Sequence, residues 1–466
     1  MVEQKAKSTV TPELLDRLRM QVRSNPQTAT EVIDQLKAPD AAEVINDLPL
    51  EDAALTISML PVEEAVALFN EPSLERRHEI LAKFELERAA AILSEMSSDE
   101  RADVVRRLEM KYREQVLPLL PESVQNEIKF LLQFPPTTAG GIMSTEFIRI
   151  GPDISVSEAL NHIRAVSKRR LHFYSIYVLD EDGSLLGALS VRDLLVANPH
   201  SSIKQVMRRY PISVNCMDDQ ELVARKLAKY NLLAVPVVDD KGRVLGYVTV
   251  DDALDVLVEE HTEDVQKMGG MEALDEPYMT TPLFSLIRKR AGWLVVLFLS
   301  EMLTATAMGY FEDEIAKAVV LALFVPLIIS SGGNSGSQAA TLIIRALALG
   351  EVTLRDWWVV MRREIFSGLT LGTILGSIGF LRVAMWSVFT DVYGPHWLFI
   401  GVTIFLSLIG VVLWGTLSGS MLPFILKKLG FDPATSSAPF VATLVDVTGI
   451  VIYFTVAAFV LSGKLL

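Results

Sequence analysis

The sequence predicts a multi-domain membrane protein: an all-α superhelical segment, a duplicated α/β module, an acidic connecting helix and a five-span α-helical bundle. Three patterns predict it. Apolar runs long enough to cross a bilayer occur only after residue 280, a 12-residue apolar period fills the N-terminal part, and a 59-residue duplication lies between them.

Charge divides the chain at the same place. The 466 residues carry a net charge of −14, yet the mean hydropathy is +0.34. Residues 281–466 hold 12 Lys and Arg against 10 Asp and Glu, which leaves 31 against 47 for residues 1–280. The two parts are therefore +2 and −16, an acidic soluble assembly followed by a nearly neutral membrane part. So negative a soluble part excludes duplex binding, which rests on basic patches. The single cysteine, Cys216, cannot form an internal disulfide and fits a reducing compartment. No HExxH, Walker loop, CxxC or Ser/His/Asp constellation supports an enzyme.

The helical segment is expected over residues 1–135. Its first 30 residues lack the apolar core of a secretory signal. Leu48, Leu60, Phe84, Met96, Leu108 and Leu120 then recur every 12 positions, with Pro72 breaking the series. Most are followed by Pro or an acid, which favour the first turn of a helix. Short helices at this period stack as a superhelix.

The duplication covers residues 138–258, in halves 138–200 and 201–258. Tyr177-Val178-Leu179-Asp180-Glu181-Asp182-Gly183 matches Pro236-Val237-Val238-Asp239-Asp240-Lys241-Gly242, and Ser190-Val191-Arg192-Asp193 matches Thr249-Val250-Asp251-Asp252. Each copy reads as helix, strand, Asp/Gly hairpin, strand, helix. A connecting helix is expected over 252–282. It places Asp252, Asp255, Glu259 and Glu263 on one face, where like charges repel unless solvent or a cation screens them. His261 reads as incidental and Cys216 as packing.

The membrane part, 283–466, contains five apolar runs: Ala291–Tyr310, about Ala316–Leu349, Ile365–Val388, Trp397–Leu426 and Ser437–Ser462. The second is too long for one straight span, and Gly332-Gly333-Asn334-Ser335-Gly336 is the expected break, lining a hydrated path with amide and backbone oxygens. Arg288, Lys289, Arg290, Arg345, Arg355, Arg362, Arg363, Lys427 and Lys428 flank one side, against Lys317, Arg382 and Lys464 on the other. This bias puts the soluble part in the cytoplasm and the C-terminus outside. Gly368, Gly372, Gly376 and Gly379 form a helical stripe suited to close packing. Two acids lie within spans. Glu301 has Thr304 and Thr306 nearby, whereas Asp446, in a span free of Lys and Arg, calls for a cation as its counter-charge. A hydrated hard cation such as Mg2+ suits one carboxylate among carbonyls and hydroxyls.

The duplicated βαββα unit resembles a tandem CBS module, in which the acid of the second motif, here Asp193 after Arg192, holds the ribose of an adenosine nucleotide. Ser175 stands where the nucleotide-binding version carries an aromatic ring, which argues against ATP. With Gly332 to Thr341, Met421-Leu422-Pro423, and Asp432-Pro433-Ala434 through Asp446-Val447-Thr448-Gly449, nearly the whole chain after its first few tens of residues resembles the MgtE family of magnesium channels. The resemblance implies a homodimer in the cytoplasmic (inner) membrane with the pore on its two-fold axis, Mg2+ both transported and regulatory. Its ion path would be lined by Gly332, Gly333, Asn334, Thr443 and Asp446. Its regulatory acids would be Asp99, Asp103, Glu221, Asp252, Asp255, Glu260, Glu263 and Asp264, with Asn231 where a further acid is expected. A coupled carrier of another divalent cation such as Co2+ or Mn2+, and a membrane-tethered CBS nucleotide sensor without transport, are the competing classes.

Overall fold

The computed structural model describes Thr30, Ile33 and residues 36–166, 175–274, 277–279, 281–390 and 392–462. Residues 1–29 and Lys464, on which two of the readings above fall, lie outside the described residues. The chain forms two compact units, Met1–Glu259 and Glu260–Leu466.

The 12-residue period sets the helices of the first unit. Ala38–Asn46, Leu50–Met59, Val62–Phe69, Leu86–Glu95, Ser98–Arg107, Met110–Val116 and Glu122–Leu131 begin in register. The apolar residue two places before each start is buried, from Leu36 and Leu48 to Leu108 and Leu120. At Pro72 the register slips. Leu74 fills the core instead, Arg76 adopts a left-handed φ of 52°, and a shorter helix runs Arg77–Leu81. Helices two apart in sequence pack together. Side chains reaching across them satisfy the free carbonyls of the earlier helix ends. The Tyr112 hydroxyl donates to Leu81 and Phe84 carbonyls at 2.9 and 3.0 Å, and Arg76 donates to the Leu48 carbonyl at 3.0 Å.

The duplication folds as two sheets. Strands β1 (Ile148–Ile150), β2 (Ile176–Leu179), β3 (Leu185–Leu189) and β4 (Arg208–Arg209) lie in that order, and β5 (Val214–Asn215), β6 (Ala234–Val238) and β7 (Val244–Thr249) form the second. β1 and β5 run parallel to the first strand of each hairpin, and the hairpins themselves are antiparallel. Gly183 (φ 84°) and Gly242 (φ 79°) turn the hairpins where other residues would be strained. The copies touch through those turns: Leu185 N donates to Gly242 O at 3.1 Å and Val244 N to Gly183 O at 3.0 Å. Both pairs obey the 59-residue shift, so the contact is a local two-fold.

After β7 the acidic helix Val250–Met268 carries the chain across the boundary between the units. It is shorter than the 252–282 expected, because Gly269 and Gly270 (φ 74°) end it.

Among the described residues, five helices of the second unit are long and apolar enough to cross a membrane: Leu283–Tyr310, Val319–Ala348, Leu354–Phe389, Gly394–Lys428 and Ala438–Leu461. The fourth is the hub, packed against the second, third and fifth. The glycine stripe of the third span serves packing. A Cβ on Gly368 would sit 3.0 Å from Leu413 Cα, one on Gly372 2.7 Å from Ile409 Cα, and one on Gly376 2.8 Å from the Phe405 carbonyl oxygen.

The expected break at Gly332–Gly336 is not there. Helix Val325–Ala348 runs through it unbroken, and the interruption lies upstream, at Ala318 and Leu323–Phe324. Those glycines are contact points instead. A Cβ on Gly336 would meet the Gly415 carbonyl at 2.9 Å, while one on Gly415 or Gly419 would clash with the Gly332 or Gly336 carbonyl. Small residues let membrane helices approach this closely, and the intact backbone ladder is obligatory in lipid.

Gly415→Ala should therefore cost about 1–3 kcal/mol of stability, read as a lower melting temperature in detergent. Gly309→Ala, where a Cβ would meet nothing within 4 Å, should be neutral or slightly stabilising. Equal melting temperatures for Gly415→Ala and the parent would refute the packing role.

Candidate functional site

In the first unit two of the acids expected to be regulatory, Asp99 and Asp103, lie on helix Ser98–Arg107. The Ser98 hydroxyl lies 3.2 Å from the Ser144 hydroxyl and accepts from Thr145 N at 2.9 Å. The buried Arg101 binds Glu127 at 2.7 Å and the Met96 carbonyl at 2.6 Å. These bonds hold the first turn, with Asp99 and Glu100, against the segment that precedes β1. Asp252 belongs to the first turn of helix Val250–Met268. Its Oδ2 accepts from Thr249 N at 3.1 Å and from the Thr249 hydroxyl.

Arg77 pairs with Glu100 and Arg106 with Asp103, but the acids outnumber these cations. Asp99 Oδ1 is shielded from solvent with no hydrogen-bond partner. Burial, then the Glu100 charge, raises Asp99 to about 7. Burial, then Asp99, raises Asp252 to about 7. Burial likewise raises Glu100 to about 7 against the pull of Arg77, and raises Asp103. Asp255 is raised by burial and Asp251, and Glu71 by burial and Asp255. Among the described residues no three acids, histidines or cysteines converge closely enough to cage an ion unaided. The donor set fits a hard divalent cation that keeps part of its water shell: oxygen-only, anionic and with an unpaired buried oxygen.

The structure brings Asp99, Asp103, Asp252 and Asp255 into one electrostatic neighbourhood. The other expected acids are engaged elsewhere. Glu221 pairs with Arg225 and Glu263 with Lys267. Asn231, the departure noted in the sequence, is a left-handed helix cap with φ 51°, a backbone role that Asn performs well. Glu71, Glu100 and Arg77 were not anticipated. The period pointed to a helix start beside Asp99 and so to Glu100, whereas the slip at Pro72 hid the other two.

Asp193, the candidate ribose ligand, is already occupied. Its carboxylate caps the helix Val191–Val196 by accepting from Ser190 N at 2.9 Å and pairs with Arg208 at 3.3 Å.

In the second unit Asp446 faces the glycine-rich second span, its Oδ1 3.7 Å from where a Cβ on Gly333 would lie. Gly332 and Gly333 are buried, and Asn334 is exposed, its amide 3.3 Å from the Ser330 hydroxyl. Thr443 is buried and its hydroxyl donates to Pro439 O within its own helix at 3.0 Å. Thr306 likewise bonds within its helix, to Met302 O at 3.4 Å, and Thr304 Oγ1 has no partner, so neither takes up Glu301. Ser330, Asn334, Gln338 and Thr341 form an exposed polar stripe on the second span. A polar stripe cannot rest against lipid and calls for water or protein.

A link joins the connecting helix to the fifth span. Lys267 Nζ lies 2.7 Å from Asp432 Oδ2 and also pairs with Glu263. Burial alone would lower the Lys267 pKa, but the two carboxylates outweigh it and raise it. Asp432 Oδ1 accepts from Ala434 N at 2.8 Å, in the turn that leads to Ser437, the N-cap of the fifth span. Trp293 of the first span donates to the Ser437 hydroxyl at 3.1 Å.

Comparison with known proteins agrees with this layout. Residues 325–456 match a family described as MgtE, divalent cation transporter. Residues 36–137 match the MgtE intracellular N domain, and 139–199 and 203–259 match CBS domains. A magnesium transporter of Thermus thermophilus is 40% identical over 76% of this chain and 76% of its own length. One from Enterococcus faecalis is 34% identical over 71% of each chain. Among solved structures, the cytosolic domain of an Mg2+ channel in complex with ATP is 32% identical, covering 52% of this chain and 100% of that one, with a TM-score of 0.49.

If the acid cluster is frustrated by charge, Asp99→Asn and Asp252→Asn should each stabilise the chain in EDTA at pH 8. The gain should be on the order of 1–3 kcal/mol, the scale of one to two pKa units. A thermal or urea melt of the full chain measures it. Destabilisation by both variants would show that the carboxylates are satisfied in a way the cluster geometry denies.

Proposed function

The chain belongs to the MgtE family, and on that premise we propose that its membrane unit carries Mg2+ past Asp446 while the acidic unit senses Mg2+ and controls the path. The activity is Mg2+ transport with a CBS regulatory region, and not catalysis. The observation that carries the ion path is Asp446: a carboxylate inside an apolar span that contains no Lys or Arg, set against the buried glycines of the second span. A hydrated cation is its natural counter-charge.

The positive-inside bias places the acidic unit in the cytoplasm and the C-terminus outside. The exposed polar stripe of Ser330, Asn334, Gln338 and Thr341 is best satisfied by a second copy of the chain across a water-filled path, which makes the transporter a homodimer. An adenosine nucleotide at the CBS pair would need Asp193, which Ser190 and Arg208 already engage. Control is therefore assigned to the acids and not to ATP.

Bound regulatory Mg2+ would supply the positive charge that the Asp99, Glu100, Asp103, Asp252 and Asp255 cluster lacks. The chain's own residues do the rest. Without that charge the carboxylates repel and favour separation of the helices that carry them. The helix from Val250 to Met268 is continuous, so displacement of its acidic end bears on Lys267. Lys267 holds the Asp432 turn, and that turn sets the entry of the fifth span. The ion can bias this equilibrium only by binding one arrangement more tightly than the other.

Proteoliposome flux tests both parts. Asp446→Ala should abolish Mg2+ uptake with the protein still folded; normal uptake would remove Asp446 from the path. Lys267→Met should leave flux high at internal Mg2+ levels that silence the parent, and the exchange Lys267→Asp with Asp432→Lys should restore inhibition. Inhibition unchanged in Lys267→Met would rule out the link.

A further inference from the structure

We propose that Arg77 is a built-in counter-cation of the acid cluster and sets the Mg2+ concentration at which the cluster fills. The proposal rests on the sensing function assigned above and adds a residue that the chain contributes against the ion.

The placement of Arg77 follows from the slip in the helical period. An unbroken period would begin a helix near Leu74. Pro72 and the left-handed Arg76 (φ 52°) delay it, so Arg77 becomes the first residue of the helix Arg77–Leu81. From there Arg77 Nη1 donates to the Phe69 carbonyl at 3.1 Å and forms an ion pair with Glu100. Both side chains of that pair are mostly out of solvent, 17% and 15% exposed. The guanidinium charge also reaches Asp103 and Asp255, where it opposes part of the rise that burial imposes on each. It therefore stands among acids from three separate segments, the 98–107 helix, the Val250–Met268 helix and, through Asp255, Glu71.

A guanidinium stays protonated at every accessible pH. It offsets one negative charge permanently, while Asp99 Oδ1 keeps no partner at all. A divalent ion entering this cluster meets the acids and one fixed positive charge together. The charge weakens binding, and it limits the repulsion that the cluster stores when no ion is bound. A site made only of carboxylates would fill at trace Mg2+, whereas one with its own cation responds at a higher concentration.

The test is an Mg2+ titration of the full chain in detergent at constant ionic strength, read by thermal shift and by protection from protease. The midpoint of the Arg77→Gln titration should fall about tenfold, the scale expected of one unit charge near a divalent ion in a half-buried site. Arg77→Lys should stay near the parent midpoint, because it keeps the charge and loses only the fork. Should Arg77→Gln lose its cooperative transition, the Glu100→Gln background removes the carboxylate that loss of Arg77 would strand. There, adding Arg77→Gln must lower the midpoint relative to Glu100→Gln alone. A midpoint that is unmoved or raised on removal of the charge overturns the proposal, as does an Arg77→Lys midpoint that follows Arg77→Gln, which marks a purely structural role. A parent chain with no Mg2+ response refutes the sensing function itself, a separable failure.

Discussion

The acidic unit is governed by one constraint, that its buried carboxylates outnumber the cations beside them. Glu100 raises the cost of ionising Asp99, and Asp99 raises that of Asp252, and desolvated carboxylates cost several kcal/mol when unpaired. Such an arrangement survives only where the surrounding structure over-determines it. The frame is visible. Ser98, Ser144 and Thr145 pin one helix start, the buried Arg101 anchors its base through Glu127 and Met96, and Thr249 caps the other. Each carboxylate also sits in the first turn of a helix, where the dipole offsets part of its charge. The frame makes the cluster a fixed deficit of positive charge, and not a loose acidic surface.

The membrane unit solves the opposite problem. Lipid gives no hydrophobic drive to helix association, so its spans meet by shape. Gly332 and Gly336 interleave with Gly415 and Gly419, and the third-span stripe fits over Leu413, Ile409 and Phe405. The second to fifth spans are thereby one packed body, and the first touches the fifth at Trp293 and Ser437. A packed body of this kind has low compressibility and transmits strain. The Asp432 turn is such a rim, and Lys267 grips it.

Much of this was legible because it is periodic. The 12-residue spacing located six helix starts, and the 59-residue shift located both hairpins and their positive-φ glycines. Five apolar runs gave five spans, and the third-span stripe gave its packing face. The glycine-rich Gly332–Gly336 segment misled for a physical reason. Glycine marks a break when it is alone but a contact when a partner backbone approaches, and the partners Gly415 and Gly419 lie some 80 residues away. Arg77 was invisible for a related reason. Its position follows from a register slip at Pro72, and a slip shows where a pattern stops without showing where the chain goes next. Asp99 and Asp252 were legible as acids, but their isolation from counter-charge appears only once the two helix starts are placed together.

The duplication supplies the sharpest comparison. Asp193 and Asp252 occupy equivalent positions, and each caps its own helix through the preceding hydroxyl residue, Ser190 or Thr249. Their local chemistry is the same and their fates differ. Asp193 faces Arg208 at 3.3 Å, its pKa lowered because the bonds from Ser190 and the Arg208 charge overcome its burial. Asp252 faces Asp99 and is raised to about 7. One copy is thus paired with a guanidinium, and the other stands beside a second carboxylate. The capping role explains why both copies keep an acid whether or not a ligand is bound. It also makes the acid at Asp252 inseparable from the start of the helix that leads to the membrane. A change of charge at that residue acts on the first turn of the very element whose last turn carries Lys267.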